Sequence, residues 1–347
     1  MASSVIELPA FKGRAGWEFT DLSELDLGAY TPAAVAREGG VGELWSLAAP
    51  ELPAGVSVQV DGDATTVTVA RNVVLESPIP LAAVQSQDGT LVNQRTRIVL
   101  EEGAQAEVWE QFLSASGELD GILNITTELV VGDAARLRYV CGQGLSERSW
   151  VFGAQRGVVG RDASLDWVAL GFGSRSGHVL METRLAGEGA DARVTGAYAT
   201  HGRQHIDFDT TQEHAAPNTT SDLAFRGVLQ GRSSAVWKGN IIVDPGAQKT
   251  DAFQESRNLL ISKRAHADAI PGLEIQANDV RCTHAAAVAQ VDPEQLFYLR
   301  SHGMPEDVAK QLVIEGVLAA LVERFEAGPV REVLAGVLER RLALILG

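Results

Sequence analysis

Two residues in the C-terminal third of the chain have the types and the spacing to bind a soft metal ion. Cys282 and His284 are separated by one residue and follow an alternating segment, 275–281, that predicts a β-strand. Side chains two positions apart on a strand point to the same face. The pair can therefore ligate iron or zinc together. The alternative is a packed core cysteine beside a hydrogen-bonded histidine.

The pair cannot complete a metal site by itself. A structural zinc site needs four ligands and a typical iron–sulfur cluster needs four thiolates, whereas the chain has only two cysteines, Cys141 and Cys282. Cys141 ends an apolar strand segment and is predicted to fill space in the core. If Cys282 and His284 bind a metal, another polypeptide must supply the missing ligands, and the interface becomes the functional site.

A second group of potential ligands lies near the middle of the chain. His201, His205 and His214 are close in sequence to Asp207 and Asp209. This composition is compatible with metal binding, but the spacing matches no metal-binding template. Polar side chains in a loop are also commonly solvated or hydrogen-bonded to the backbone, and both interpretations remain open.

Strands must position these residues, because apolar and polar side chains alternate with a period of two through most of the chain. Clear examples are 56–60, 66–69 and 125–131, each bounded by Gly or Asp. No long helical pattern competes between residues 50 and 280. The fold is therefore predicted to be mainly β.

A weak internal repeat indicates that the strands stack as coils. Similar positions recur at intervals of 27 to 43 residues, the size expected for one turn of a solenoid. We interpret 201–222 as an inserted loop that leaves the stack at a corner. The prediction is a right-handed parallel β-helix, with a β-sandwich as the alternative. The equivalent positions are Ala106, Leu137, Leu165, Ala192 and Ala235.

The pattern becomes helical after residue 290. Asp292 can cap a helix that begins at Pro293 and ends before Gly303. A second helix, ending at Phe325, has apolar residues every three or four positions and predicts one broad buried stripe. A third helix covers 330–345, and we expect the three to cap or flank the C-terminal end of the β-structure. The predicted domains are an N-terminal segment, 1–50; the parallel β-helix core, 51–291; and a C-terminal helical subdomain, 292–347.

Composition argues against several classes of function. The 29 basic and 45 acidic residues give a net charge of −16, which disfavours nucleic acid and anionic membranes as partners. The absence of a secretory pattern or a long apolar run predicts a cytoplasmic protein with free thiols. No nucleotide-binding or hydrolase motif is present. A β-helix carbohydrate-active enzyme, which needs paired carboxylates in a cleft, is the alternative function.

Specific motifs cluster in the C-terminal third. They are 251–260 (DAFQESRNLL), 271–275 (PGLEI), 278–286 (NDVRCTHAA) and 292–303 (DPEQLFYLRSHG). Together these segments resemble the shared core signature of the SufB and SufD proteins, the scaffold subunits of an iron–sulfur cluster assembly system. The resemblance is specific over about 215–325, and Trp17–Leu22 resembles the short segment that precedes the β-helix in this family.

Two departures from the SufB pattern favour the SufD branch. SufB chains have a cysteine before the proline of the penultimate coil and a Glu-His-Glu-Ala-Thr motif, whereas here 263–271 lacks cysteine and 283–287 lacks glutamate. The resemblance implies a non-catalytic scaffold that pairs with a SufB-type subunit. It also implies that His284, assisted by Cys282, contributes to an interfacial site for a transient, shared iron–sulfur cluster.

The resemblance further implies a second partner. In this family the C-terminal helices dock a SufC-type ABC ATPase, and here that role falls on 292–325. The chain has no Walker motif, so ATP hydrolysis must belong to the partner. The residues expected to dock the ATPase are Phe297, Tyr298, Leu312 and Leu318.

Overall fold

The structure is a computed structural model that describes residues 17–325 and 328–346. Its main body consists of two parallel sheets, sheet A with 10 strands and sheet B with 8 strands. After the first strands the chain alternates between the sheets, so each strand pairs with the strands two before and two after it. This is the predicted parallel β-helix, with about 8 turns, and the β-sandwich alternative is wrong.

The strands are numbered along the chain. Sheet A contains β1 (Thr31–Ala33), β2 (Val56–Asp61), β3 (Ala64–Val69), β5 (Thr90–Leu100), β7 (Gly121–Val131), β9 (Trp150–Val159), β11 (Ser176–Leu185), β13 (His205–His214), β15 (Ser234–Val243) and β17 (His266–Ile275). Sheet B contains β4 (Ile79–Gln85), β6 (Gln105–Ser114), β8 (Arg136–Gly144), β10 (Ser164–Gly171), β12 (Asp191–Thr200), β14 (Thr220–Leu229), β16 (Asp251–Leu260) and β18 (Arg281–Gln290). Among the strands of the described residues, only β2 and β3 pair antiparallel; Ala36 and Val41 each form an isolated antiparallel bridge, to β4 and β6.

Inward-facing side chains at equivalent positions stack into rows, which form the core. Four of the five repeat positions predicted from the sequence lie in one such row. The fifth, Ala235, was wrongly assigned, because it lies on sheet A between Ile206 and Ala267. The turns before the strands of both sheets are rich in small residues. The repeat assigned from the sequence therefore moved from a strand of sheet B to a strand of sheet A at Ala235. The row on sheet B is Ala106, Leu137, Leu165, Ala192, Ser221, Ala252 and Cys282.

The segment 201–222 is not an inserted loop, contrary to the prediction. It contains β13 and the start of β14, and both pair in register with the strands on either side. Polar residues such as Asp207 and Asp209 made the segment look like a loop. On β13 these side chains point outward, while Ile206 and Phe208 point inward and are buried.

The corners from sheet A to sheet B repeat one backbone conformation. One residue per coil has a positive φ between 55° and 71°, which costs about 1 kcal/mol or more for residues other than glycine. At Gly103 a Cβ would lie 2.3 Å from the Oδ1 atom of Asn72 one coil below, so glycine is required there for close stacking. The residues are Asn72, Gly103, Ala134, Asp162, Gly189, Asn218 and Lys249.

Three helices follow the last coil: α1 (Pro293–Ser301), α2 (Glu306–Val322) and α3 (Pro329–Leu346). The predicted cap is confirmed, since Asp292 Oδ1 accepts a hydrogen bond of 2.8 Å from the amide of Glu294. Within the described residues, no helix is long and apolar enough to span a membrane.

Of the two predicted arrangements, capping or flanking, the helices flank the β-structure, and they extend further back along it than its C-terminal end. Buried residues of α2 and α3 pack on outward-facing apolar residues of sheet B as far back as Trp109 on β6. On α3, Arg340 and Arg341 donate to the carbonyls of Leu44 and Gly42 at 2.8 and 2.7 Å. The helices return along the sheet because its outer face is apolar and needs cover.

A ladder of alternating charges runs across the outer face of sheet B. Arg138 donates to Asp166 at 2.9 Å, and Arg193 binds the same carboxylate at 3.0 Å. At the end of the ladder, Arg324 from the turn after α2 is 3.0 Å from Asp222, which ties the helices to the solenoid. In order from β6 to β14, the ladder is Glu107, Arg138, Asp166, Arg193 and Asp222.

Candidate functional site

The last strand of sheet B provides an open edge at the C-terminal end of the solenoid. β18 pairs with β16 on one side, and within the described residues no strand pairs with its other side. Most side chains of β18 are exposed. A strand with one unpaired edge is a template for pairing with another chain.

His284 lies on β18 in an inward-facing row above Gln254 and Leu223. No further coil covers it, so its side chain is exposed at the open end. The Gln254 side chain beneath it donates to the carbonyls of Gly239 and Gly272 at 3.3 and 3.0 Å. These hydrogen bonds connect Gln254 to sheet A and hold its side chain in place beneath the imidazole.

Cys282 lies on the same face of β18, as the sequence predicted, but in a different environment. It stacks on Ala252 and packs, half-buried, near Leu273 and Val280. Burial, followed by the charge of Asp251, raises the pKa of the thiol. The thiolate is the form that binds metals, so this environment disfavours metal binding by Cys282, whereas the side chain of His284 is exposed.

The three histidines near the middle of the chain do not come together. His201 Nε2 is 2.9 Å from Glu147 Oε1, and His205 Nδ1 is 2.8 Å from Ser234 Oγ. His214 is buried inside the solenoid, away from both. The described part of the chain contains no group of three or more His, Cys, Asp and Glu residues placed to hold a metal ion.

The aspartates of the same segment have structural partners. Asp207 accepts a hydrogen bond of 2.7 Å from Thr20 and lies 3.0 Å from His178 Nδ1. The Trp17 ring packs on the His178 ring, with their centroids 4.6 Å apart. Asp207 therefore docks the N-terminal segment on the outer face of sheet A, and the segment that begins at Trp17 owes its composition to this contact.

His214 occupies a closed polar site in the core. Thr219 Oγ1 and Ser221 Oγ each lie 2.8 Å from one of its ring nitrogens. Burial lowers the pKa of His214 from 6.5 to about 4. Its imidazole is therefore neutral in the folded protein at any pH well above 4, and both nitrogens are occupied, which removes it as a metal ligand.

We predict that His214 makes the protein less stable in mild acid. Between about pH 6.5 and pH 4, His214 binds a proton in the unfolded chain but stays neutral in the folded chain. The free energy of unfolding therefore falls as the pH is lowered to about 4 and then levels off. The pKa difference corresponds to a loss of roughly 3 kcal/mol. Urea unfolding of the wild type and His214→Gln between pH 7 and pH 4 measures this loss.

The exposed His266 provides the control for this experiment. His266→Gln should leave the pH dependence of stability as in the wild type, whereas His214→Gln should flatten it. Equal pH dependence in the wild type and His214→Gln would show that another group causes the acid sensitivity.

Cys141 and a nearby carboxyl lie fully inside the solenoid. Burial raises the pKa of the Cys141 thiol to about 12, which agrees with the predicted core role. Glu110, on the neighbouring strand, accepts hydrogen bonds from Thr96 and Tyr139 at 2.5 and 2.6 Å. Burial raises the pKa of Glu110. Sequence analysis missed this buried carboxyl, although the alternation on β6 places it inward.

The residues expected to dock a partner lie on a largely exposed surface. Phe297 and Tyr298 on α1 are 73% and 63% exposed, and Leu312 on α2 is 45% exposed. The side chain of Leu318 is outside the part of the chain that the structure describes. Large apolar side chains exposed side by side are typical of interaction surfaces.

The apolar stripe of α2 is divided between two faces, not buried as a whole. Ile314 and Leu321 are buried against sheet B, whereas Val308 and Leu312 are exposed. Phe325 is buried too, but it lies after α2, which ends at Val322 and so is shorter than predicted. The stripe predicted from the sequence is broader than the face that meets the sheet. Its outer part is therefore left available for another molecule.

A groove of about 470 Å³ lies between α2 and sheet B. Its floor contains Arg226 and Arg257, both paired with Glu255 on β16. Sequence analysis missed this network, because the two strands contribute residues 29 or more positions apart. The other lining residues are Gln295, Leu312, Val313, Gly316 and Ala320.

Comparison with known proteins identifies the family of this solenoid. Residues 83–317 match the family model described as "SUF system FeS cluster assembly, SufBD core domain". The chain belongs to the SufBD family. The SufBD match includes β18, α1 and most of α2, so the open edge and the exposed helix surface both fall inside the family's core domain.

Individual SufBD proteins give the same result. SufD of Bacillus subtilis is 33% identical over 277 residues, which cover 79% of this chain and 63% of that protein. A SufBD family protein of Mycobacterium tuberculosis is 31% identical over 289 residues, covering 81% and 72%. One from Synechocystis is 26% identical over 272 residues, covering 76% and 60%.

Proposed function

We propose that this SufBD protein is a non-catalytic, SufD-type scaffold for iron–sulfur cluster assembly. It pairs with a SufB-type subunit through the last coil and docks a SufC-type ABC ATPase through α1 and α2. The observation that carries the proposal is the exposed imidazole of His284, which lies above the hydrogen-bonded side chain of Gln254 and beside an unpaired strand edge. The nascent cluster is cargo that the two scaffolds hold briefly between them.

An incomplete set of ligands supports a shared site. A typical cluster needs four ligands, and the last coil offers one open imidazole and one half-buried thiol. A partner strand added to the free edge of β18 would bring further side chains to the same face of the extended sheet. It would also cover the exposed side chains of the last coil. Neither subunit then needs to hold the cluster alone.

One strand connects the two proposed partner surfaces. On β16, Gln254 points inward beneath His284, and the next residue, Glu255, points outward and holds Arg226 and Arg257 in the groove under α2. A shift of α2 on binding the ATPase would act on β16 from outside. We propose that β16 transmits this shift to β18 and His284.

The alternative function, a β-helix carbohydrate-active enzyme, receives no support. The family match concerns cluster assembly over residues 83–317. The candidate ligands that the sequence offered outside the last coil have structural partners.

Anaerobic reconstitution with ferrous iron and sulfide tests the proposal. The isolated chain should hold no stable cluster, because it lacks a full set of ligands, while the complex with a SufB-type subunit and a SufC-type ATPase should acquire the brown absorbance of a cluster. The control is the complex without this subunit. A fully occupied cluster on the isolated chain, or equal yield without this subunit, would contradict the proposal.

A further inference from the structure

Along two ladders of this solenoid, charged side chains alternate in sign from one coil to the next. The ladder on sheet B that ends at Asp222 is one example. A second ladder on sheet A follows the same rule. Opposite charges on neighbouring strands stabilise a sheet, and like charges directly opposite destabilise it. The sheet A ladder is Arg97, Glu128, Arg156 and Glu182.

One corner breaks this rule. The turns that follow β12, β14 and β16 place cations in three successive coils, and we call Arg203, Arg232, Lys263 and Arg264 the basic corner. All four side chains are exposed. The turns are in contact, since the Arg232 amide donates to the carbonyl of Gly202 at 2.7 Å. Successive coils lie about 4.8 Å apart, so like charges are stacked here.

Within the described residues, Arg203 of the basic corner lines a pocket with the carboxylates of Glu24 and Glu147, which are paired with Arg175 and His201. Among the described residues, none of the four cations of the basic corner forms an ion pair with a carboxylate, while the arginines of both ladders do. A shortage of acids is not the reason, since the chain has 45 acidic and 29 basic residues. The sequence of residues 1–16 does not favour a source of counter-charge there either, because it contains one acidic residue, Glu7, and two basic residues, Lys12 and Arg14.

The preceding coil shows what can neutralise this corner. Arg175, in the turn after β10, pairs with Glu24 of the N-terminal segment and lies over the Trp150 ring at 5.5 Å. Glu24 belongs to a stretch without helix or strand that runs outside the coils. A carboxylate in a turn of the N-terminal segment is therefore already a ligand of this corner, one coil before the cations of the basic corner.

We propose that the basic corner binds an extended, carboxylate-rich segment of a partner protein. The segment would continue the line of the N-terminal segment from Arg175 toward the last coil. The strong net negative charge of the chain opposes long polyanions more than a short acidic peptide. This proposal goes beyond the scaffold function, because it requires neither a cluster nor a particular subunit.

The contact should be weak and sensitive to salt. Each exposed ion pair contributes about 0.2–1 kcal/mol and is screened by salt. Four such cations cannot hold a partner alone, but they can orient it and accelerate its association. The basic corner is therefore an accessory contact that guides a larger interface.

Fluorescence anisotropy with a labelled octaglutamate peptide and the full chain tests the proposal. The test variant is the triple R203Q/R232Q/R264Q. The control is R136Q/K249Q/R281Q, which removes three exposed cations elsewhere and has the same net charge as the test variant. At 20 mM salt the wild type and the control should bind within about twofold of each other, and the test variant about tenfold more weakly. Binding by the wild type should weaken strongly at 300 mM salt.

Two further measurements separate the proposal from its competitors. Unlabelled octaglutamate should displace the probe better than tripolyphosphate or single-stranded DNA at equal charge, and the reverse order would overturn the assignment of carboxylates. The melting temperature of the test variant should stay equal or rise, because like charges are removed. No binding by the wild type, equal binding by the test variant, or a fall of several degrees in melting temperature would each overturn the proposal.

Discussion

His284→Ala is expected to abolish most cluster assembly by the reconstituted complex while leaving the subunit folded. The imidazole is exposed at the open end of the solenoid, so its removal should change the free energy of unfolding by less than about 0.5 kcal/mol. Even residues that only support a metal ligand typically cost about 10–100-fold when lost. We therefore expect cluster yield, measured by absorbance and iron content, to fall by about tenfold or more.

Two variants make this result specific. His266→Ala removes an exposed histidine from the neighbouring strand β17 and should leave cluster yield unchanged. Cys282→Ser should have a smaller effect than His284→Ala, because Cys282 packs as a core residue, and the double variant should be no worse than His284→Ala alone. Intact assembly by His284→Ala, with a melting temperature lowered by several degrees, would make this histidine structural.

Leu312→Glu is expected to separate the subunit from its ATPase partner without unfolding it. The side chain is 45% exposed and lines the groove beside α2. A charge in the centre of a buried apolar interface costs about 2 kcal/mol or more, which is about 30-fold or more in affinity. Pull-down and calorimetric titration with a SufC-type ATPase measure the loss. We expect the same from a charge at Leu318.

The neighbouring positions supply controls for this prediction. Gln311→Glu adds the same charge one residue earlier, outside the groove, and should bind the ATPase as the wild type does. Ile314→Glu places the charge on the face buried against sheet B and should lower the melting temperature by many degrees. Unchanged binding by Leu312→Glu would remove α2 from the docking surface, and loss of solubility would mean that Leu312 belongs to the core.

The two proposed surfaces differ in what recognition demands of them. The last coil offers backbone hydrogen bonds along a strand edge, which are directional and independent of side-chain identity. The surface of α1 and α2 offers exposed apolar side chains, which give affinity through burial. Under the proposed function, a SufB-type scaffold and an ATPase would use different elements and could bind at once.

Most of the fold could be predicted because the rule that makes a β-helix is local. Alternation with period two gave the strands, and small residues at regular intervals gave four positions of one core row. The same rule failed where local chemistry resembled a loop. β13 carries His205, Asp207 and Asp209 on its outer face, and only the neighbouring strands and the N-terminal segment reveal why they are there.

The candidate site was predictable in part. The one-residue spacing of Cys282 and His284 predicted that they share one face of the strand. The spacing does not indicate which of the two side chains stays exposed. That difference arises from their neighbours at the end of the solenoid, because Leu273 and Val280 pack with Cys282, whereas the side chain of His284 is exposed. In the same way, the sequence of α2 defined an apolar stripe without saying which half would be covered.

The sequence by itself determined the solenoid, the three helices and the family resemblance, because these depend on patterns that span a few residues or one coil. Tertiary structure alone decided which charged side chains of the described residues form ion pairs and which do not. Residues in one ladder are about 30 positions apart and become neighbours only when coils stack. The alternation of sign, its exception at the basic corner, and the link from α2 through β16 to His284 are properties of that stacking.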